Sequence, residues 1–483
     1  MEQELLNLLF KTFPDSEVSN IMKIPPSASG RVYYRFLLKD GHTVIGTYGP
    51  DRDENKAFVS LSGHFTRSGL PVPRLLAVDE SGLYYLQEDL GGDCLFDCIA
   101  KGRESGTFSR EEIKILESSI RILPHFQFRD FKDIDLSVCY PKPRFDRECI
   151  LWDLNYFKYS FLKTLDIPFR EDLLEKDFGV LADLILSLTP EESFMLRDFQ
   201  SRNILVRDGR PFLIDYQGGR QGAHYYDVAS FLFQARANIS PEVREKLIDA
   251  YLEELSAYMT TTRGEFTRNL SWFVLLRTLQ VLGAYGLRGL VQRKPHFLMS
   301  IIPAVSNLRD LLSVLDMSRM PVLRQALEEV TALSRFKEED KVQGLTVEIM
   351  SFGYKKGVPE DLSGNGGGFV FDCRSLNNPG RYSQFKSKTG RDDEVREFLL
   401  TQSLIQPFLE HVFYLVDQSV ENYLERGFSH LQVLFGCTGG QHRSVYSAER
   451  LKEHLLEKYA LNVRLCHREQ GITEFHSSLK PEP

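Results

Sequence analysis

The run FMLRDFQSRNILVRDGRPFLIDYQGG, residues 194–219, carries Asp198, Asn203 and Asp215 on polar turns beside two apolar strands. An Asp, then an Asn, then an apolar strand ending in a second Asp suits phosphoryl transfer, which asks little covalent work of a protein. That reaction needs a carboxylate to orient and deprotonate an attacking hydroxyl, and hard oxygen donors to hold Mg²⁺ on nucleotide phosphates. Asp198 is the expected base, with Asn203 and Asp215 the expected metal ligands. ILVRDGRPFLIDY reads as a hairpin that brings Asn203 and Asp215 together. The alternative is ordinary turn chemistry, which Asp, Asn and Gly also favour. Asp215 at the end of an apolar strand, with YYDVASFLF following, weighs against it. Asp227 in that following run is expected to brace the loop through backbone hydrogen bonds.

A second constellation is GCTGGQHRSV, residues 436–445, between an apolar strand and a helix. Gly439 and Gly440 let backbone N–H groups converge on an anion. The helix N-terminus adds partial positive charge, and Arg443 adds a bidentate donor. The same residues satisfy Cys-x5-Arg-Ser, in which Cys437 would be a thiolate nucleophile. A tight strand–helix turn with a buried Cys is the plainer alternative. Cys94 and Cys98 have no His or third Cys beside them, which argues against a metal site. Trp152 and Tyr156, at helical spacing, read as core or as a surface for stacking on a sugar ring.

These residues need elements to position them. RVYYRFLLKDGHTVIGTYG is two strand-like runs joined at Lys39–His42, and RLLAVD and LYYLQEDL are two more around Glu80–Gly82. Between them Asp53 is the expected cap of a helix through ENKAFVSLSGHFTRS, ended by Gly69, Pro71 and Pro73. From about Phe108 the pattern is helical. Ser109 with Glu112 is a capping box, Ser240-Pro241 opens a helix, and SWFVLLRTLQVLGAYGL is apolar enough to be buried. Beyond the polar RFKEEDK, short apolar runs alternate with Gly-rich turns and helices, as in an α/β domain with parallel pairing. The expected boundaries are 1–92, 93–335 and 343–483.

The chain has 483 residues, 42% of them hydrophobic, enough for two or three domains with real cores. A net charge of −8 argues against a mainly electrostatic nucleic-acid binder. Seven cysteines with no Cys-x-x-Cys pair suit a reducing compartment. MEQELLNLLFKTF does not read as a signal peptide, and no window approaches eighteen uninterrupted apolar residues, so the expectation is a cytoplasmic protein with no membrane partner.

Residues 15–315 resemble the aminoglycoside phosphotransferase/choline kinase group, whose α+β fold is bilobal and protein-kinase-like, an N-lobe sheet followed by a helical C-lobe. The likeness is strongest to bacterial kinases of the anomeric hydroxyl of N-acetylmuramate and N-acetylglucosamine. SASGRVYYRF, DENKAFVSLSGHFTRSGLPVPRLLAVD, LRDFQSRNIL with LIDYQGGRQGAHYYDVASFL, and LLRTLQVLGAYGLRGLVQRKPHFL carry it. The resemblance implies ATP as phosphoryl donor, Mg²⁺, an amino-sugar acceptor and a role in cell-wall recycling. It implies nucleotide contacts from Ser29, Gly30, Arg31, Arg35, Glu54, Gln87, Glu88 and Leu90, with Gln87–Leu90 as the hinge facing adenine. Two residues depart from the pattern. Leu196 stands where the family often has His, and TVIGTYG lacks the lysine that normally pairs with Glu54, leaving Arg31, Arg35 or Lys39 to supply that charge. An aminoglycoside or choline-like acceptor, or a non-catalytic nucleotide-binding adaptor, are the alternatives.

SFGYKKGVP, FVFDCRSLNNPGRY, KSKTGRDDEVREFL, GCTGGQHRSVYSAERL and VRLCHRE together resemble the C-terminal domain of RapZ, a bacterial adaptor that binds glucosamine-6-phosphate and, in some bacteria, a small RNA. The resemblance implies an amino-sugar-phosphate site from Cys437, Thr438, Gly439, Gly440, Gln441, His442, Arg443 and Ser444, completed by Arg374, Asn377 and Asn378, and serving as an effector sensor. RapZ's Walker-loop half and basic tail have no counterpart here. Residues 343–483 hold 16 Lys and Arg against 18 Asp and Glu, a net of −2, which argues against an RNA partner.

Overall fold

The computed structural model describes the chain apart from residues 26–29, 334–335, 337–343, 360–367 and 479–483. It divides into two compact units, one of residues 1–287 and 300–336, the other of residues 288–299 and 337–483. Ser29, most of the expected 335–343 boundary and most of RFKEEDK lie outside the described residues.

The first unit opens with a five-stranded antiparallel sheet ordered β1 (Val18–Ile24), β2 (Val32–Leu38), β3 (Thr43–Tyr48), β5 (Tyr84–Glu88), β4 (Leu75–Val78). The β2–β3 register, Leu37↔Thr43 through Val32↔Tyr48, confirms the Lys39–His42 hairpin. Helix Glu2–Thr12 places Leu5, Leu8 and Leu9 one turn apart, and they pack with Tyr34, Phe36, Val44 and Leu86 into a small core. The helix after β3 runs Arg52–Arg67, and its cap is Asp51 rather than the expected Asp53. Asp51 has extended backbone, and its carboxylate accepts from the N–H groups of Asp53 and Glu54 at 3.0 and 3.1 Å.

The rest of this unit is mainly helical. Ser109 and Glu112 form the reciprocal capping box at Arg110–Arg121, and helix Pro241–Leu255 starts after Ser240. Two short antiparallel pairs lie among the helices: β6 (Phe194–Met195) with β9 (Arg220–Gln221), and β7 (Ile204–Arg207) with β8 (Arg210–Leu213). Residues 263–291 and 296–314 form helices long and apolar enough to cross a membrane by length and composition. The most apolar window of the first is 56% buried inside the protein, and that of the second 39%. The first helix turns Arg277 inward to bond Asp198.

In the second unit, β11 (Gly368–Asp372), β12 (His430–Cys437), β10 (Thr346–Gly353) and β13 (Asn462–His467) pair in parallel in that order, and β14 (Ile472–Ser477) adds antiparallel to β13. This is the parallel pairing the sequence led us to expect. Val347, Ile349, Val433, Phe435, Val463 and Leu465 form the centre of the core, with Val412, Val416 and Val420 from helix Ile405–Glu425 and Leu451 and Leu455 from helix Arg443–Lys458. Parallel strands buried on both faces read as near-continuous apolar runs, as QVLFGC does.

Candidate functional site

The β7–β8 register, Ile204↔Leu213, sets Asn203 and Asp215 at the open end of the hairpin. There Asn203 Nδ2 donates to the backbone carbonyl of Asp198 at 3.0 Å and lies 3.4 Å from Asp215 Oδ2. The three residues singled out by spacing therefore meet. Asp215 has a left-handed φ of 62°, and Gln217 Nε2 donates to its Oδ1 at 2.7 Å. Its carboxylate is accessible but recessed. Desolvation pushes its pKa up and Asp198 and Glu54 add to the rise, with Gln217 and Arg31 acting in the opposite direction. An electron-poor partner such as a divalent cation relieves that cost.

The loop before this hairpin is braced from beneath. Asp227 is fully buried and accepts from the backbone N–H groups of Leu196 and Arg197, both at 2.8 Å, and from Gln127 Nε2 at 3.1 Å. Those bonds hold Arg197 at a φ of 72°. Burial pushes the Asp227 carboxyl up to about 7 against the pull of these donors. This is the structural role expected for Asp227.

Asp198 itself is half-exposed, and Arg277 Nη2 donates to its Oδ1 at 3.0 Å. Arg277 is almost buried, and its Nη1 is held by Tyr226 at 3.3 Å and Gln280 at 2.8 Å. Beside it, Arg197 Nη2 bonds Asp153 Oδ1 at 2.8 Å. Sequence reasoning missed Arg277, Arg197, Asp153 and Gln217. The available signal for Arg277 was its position as a lone charge in the apolar run SWFVLLRTLQVL.

Among the residues expected to contact a nucleotide, Arg31 is 2% exposed, lies 3.5 Å from Glu54, and presents an Nε with no hydrogen-bond partner among the described residues. It is the cation that reaches Glu54 in place of the absent strand lysine. Arg35 is instead clamped to Asp89, at 2.6 and 3.0 Å, and Lys39 pairs with Glu17. Gln217 Nε2 also reaches Glu54 at 3.3 Å, linking Glu54 to the Asp215 turn. Gly30 is exposed next to the undescribed Ser29. At the strand end, Gln87 keeps a buried Oε1 with no partner among the described residues, Glu88 is paired with Arg74 and Arg207, and Leu90 is buried. Trp152 is exposed, with Lys142 5.3 Å from its ring, so it is not core.

In the second unit, β12 ends at Cys437 and helix Arg443–Lys458 begins six residues on. Thr438 and Gly439 are exposed, whereas Cys437, His442, Arg443 and Ser444 are buried. Gly440 has a φ of 67°, and a Cβ there would stand 2.6 Å from the Gly353 nitrogen, so the turn requires glycine. Cys437 Sγ receives the Gly440 N–H at 3.2 Å and lies 3.1 Å from Ser444 Oγ. Burial pushes the thiol up, but the Ser444 hydroxyl and amide, Arg443 and the Gln441 amide outweigh it, and the net shift is downward. Arg443 donates to the carbonyls of Arg374 and Leu376, reaches Thr438 Oγ1 at 3.5 Å, and keeps an Nε with no partner among the described residues. His442 bonds the Phe385 carbonyl, and Gln441 those of Lys386 and Lys388. Of the expected completing residues, Arg374 gives Arg443 only its carbonyl, because its guanidinium is paired with Asp372 and stacked 3.9 Å over Tyr354. Asn377 bonds the Gln402 carbonyl, and Asn378 accepts from Gly380. No group of three or more His, Cys, Asp or Glu forms a metal site among the described residues, Cys94 and Cys98 included.

The model of the phosphotransferase enzyme family matches residues 21–263, and the model of the RapZ C-terminal domain matches residues 345–471. A nucleotide-binding protein of Thermotoga petrophila is 33% identical over 238 residues, covering 46% of this chain and 79% of that protein. A second, from Fervidobacterium nodosum, is 38% identical over 128 residues, 26% of this chain and 44% of that protein, so the chain spans less than half of it. Among solved structures, an aminoglycoside 2'-phosphotransferase IIIa in complex with GDP is 12% identical, covers 65% of this chain and 97% of its own, and superposes with a TM-score of 0.44. A choline kinase from Cryptosporidium parvum is 14% identical, with 64% and 93% covered and a TM-score of 0.42. The first family model spans more than half of the chain, which makes this chain a member of the phosphotransferase enzyme family, carrying a RapZ C-terminal domain after its kinase-like fold.

Proposed function

We propose that the chain is a cytoplasmic, ATP- and Mg²⁺-dependent kinase of an amino sugar, acting at the anomeric hydroxyl of N-acetylmuramate or N-acetylglucosamine in cell-wall recycling. The observation that carries it is the meeting of Asp198, Asn203 and Asp215 at the hairpin mouth, with Arg31 beside Glu54 across from them. Asp198 accepts the proton of the attacking hydroxyl, and Arg277 holds its carboxylate in place. With Asn203 Nδ2 turned to Asp198 and Asp215, its Oδ1 is the oxygen left for a cation, and Asp215 supplies the charged ligand. Two protein oxygens fit Mg²⁺, which keeps several waters and takes phosphate oxygens as further ligands. When bound, the ion neutralises charge on the phosphates. Arg31, whose Nε has no partner among the described residues, would meet those phosphates.

Arg277 bonds Asp198 directly, and Arg197 is the preceding residue in the loop. Each guanidinium is matched by a carboxylate, Arg277 by Asp198 and Arg197 by Asp153, so the choice of an amino sugar rests on the sequence likeness to the amino-sugar kinases. The second unit we read as an effector site for a phosphorylated amino sugar, with a coupling to the kinase of about 1–3 kcal/mol sufficing for useful regulation. The test is purified protein with ATP, Mg²⁺ and a panel of sugars, choline and aminoglycosides, the products identified by ³¹P NMR. An anomeric phosphate on an amino sugar supports the proposal. Transfer only to a cationic acceptor, or nucleotide binding with no transfer at all, overturns it.

A further inference from the structure

The kinase reaction leaves the thiol at the centre of the second unit without a task, yet its surroundings are those of a reacting group. Cys437 sits at the carboxyl end of a parallel strand, inside a turn that opens a helix of sixteen residues. Such a helix start gathers N–H donors and partial positive charge. Arg443, six positions on, is 3% exposed, reaches back to Thr438 in the loop, and holds an Nε that no described residue satisfies. A buried guanidinium N–H left unpaired is costly, and an anion in the loop would remove that cost. Thr438 and Gly439 are exposed, and a Cβ on Gly439 would meet nothing within 4 Å, so the mouth of the loop is open. Ser444 and the Gly440 N–H both address the sulfur, an arrangement that favours its charged form.

We propose that the Cys437 loop is a phosphatase centre, in which Cys437 takes the phosphoryl group of a phosphate monoester covalently and passes it to water. The inference rests on the reading of this loop as a phosphate site and goes beyond binding. In the first step the thiolate attacks phosphorus, a P–S bond forms, and the P–O bond to the ester oxygen breaks with its electron pair on the leaving oxygen. Arg443 and the loop N–H groups hold the non-bridging oxygens, and Ser444 donates to sulfur. In the second step water attacks phosphorus, the P–S bond breaks, inorganic phosphate leaves with the oxygen of that water, and the thiolate is restored. One proton of the water stays on the phosphate, and the other goes to solvent, from which the released oxyanion takes up a proton where it is basic enough. Asp372, paired in register with Gly436 on the neighbouring strand, is held as a carboxylate by Arg374 and is not set up as an acid. The preferred substrates are therefore phosphates on weakly basic leaving oxygens, for which an aryl phosphate is the probe.

The experiment is full-length protein with p-nitrophenyl phosphate, followed by nitrophenolate release and by mass analysis of protein denatured during turnover. We expect release that falls about 100-fold or more in Cys437→Ser and about 10-fold in Ser444→Ala, the scale on which an activated nucleophile and its supporting donor contribute. The wild-type protein should carry one phosphoryl group on the peptide containing Cys437, a readout independent of how any variant folds. Calorimetric titration with glucosamine 6-phosphate separates the two readings. Binding without release and without the phosphoryl adduct overturns the covalent step alone. Absence of binding, release and adduct together overturns the phosphate-site reading with it, and an adduct on any other residue also refutes the proposal.

Discussion

The cleft of the first unit and the glycine loop of the second both look made for phosphate, but they are made of different material. The cleft is built from side chains brought together across the whole fold: Arg31 and Glu54 from the sheet and its helix, Asp198, Asn203 and Asp215 from the hairpin region, Arg277 from a late helix. The loop is built from one contiguous stretch, in which main-chain N–H groups, a helix start and a single Arg act together. A site of dispersed side chains carries full charges, and burial pushes the Asp215 carboxyl up, a cost that a cation would relieve. A main-chain site carries partial charges and accepts an anion without a counterion. On the proposed reading, the comparison sets a site for a triphosphate and its cation against a site for a single phosphate group that needs no cation.

Asp215→Asn breaks the comparison most severely. Removing the charged group proposed to hold the cation should lower turnover by about 10³-fold with the fold intact, read as kcat and circular dichroism. Next is Arg443→Lys. Losing the planar fork and its buried Nε should weaken binding of glucosamine 6-phosphate by about 10–100-fold in calorimetry, since charge-assisted hydrogen bonds contribute on that scale. Unchanged affinity would mean that the main chain alone makes the site. Arg31→Ala should raise the KM for ATP by about 10-fold with a smaller change in kcat, as loss of one phosphate contact would.

The smallest effect is one of stability. His224 is fully buried among Tyr225, Phe128 and Phe266, and neither ring nitrogen has a partner among the described residues. Burial lowers its pKa from 6.5 to about 3. The folded state therefore binds fewer protons there than the unfolded one, so its contribution to stability is complete above about pH 6.5 and is lost as the pH falls toward 3. Thermal melting should show this acid slope, and His224→Phe should flatten it. An equal slope in the variant would assign the acid sensitivity to other groups.

How much was legible in the sequence follows the same division. The glycine loop was readable because its parts are neighbours in the chain, and spacing alone brings Arg443 back to Thr438, the residue after Cys437. The hairpin was readable for the same reason, since an Asp-Gly turn fixes its register and sets Asn203 against Asp215. Arg277 is 79 positions from Asp198, and nothing in its own segment says which charge it will meet. Among Arg31, Arg35 and Lys39, the choice was made by partners distant in sequence: Asp89 holds Arg35 and Glu17 takes Lys39, which leaves Arg31 for Glu54. The Asp51 cap was missed because DRDE offers two candidate aspartates, and only the backbone angle distinguishes them. Arg374 could be placed near the glycine loop, but its pairing with Asp372 two residues away commits its side chain elsewhere.

The central claim is that Asp198 receives the acceptor's proton while Asn203 and Asp215 hold the cation. It is tested most directly by single-turnover phosphoryl transfer from ATP to the amino-sugar acceptor, comparing the native protein with Asp198→Asn at saturating nucleotide and Mg²⁺. The account predicts a rate about 10²–10⁴-fold lower with nucleotide affinity preserved. Equal rates in the two proteins would contradict it.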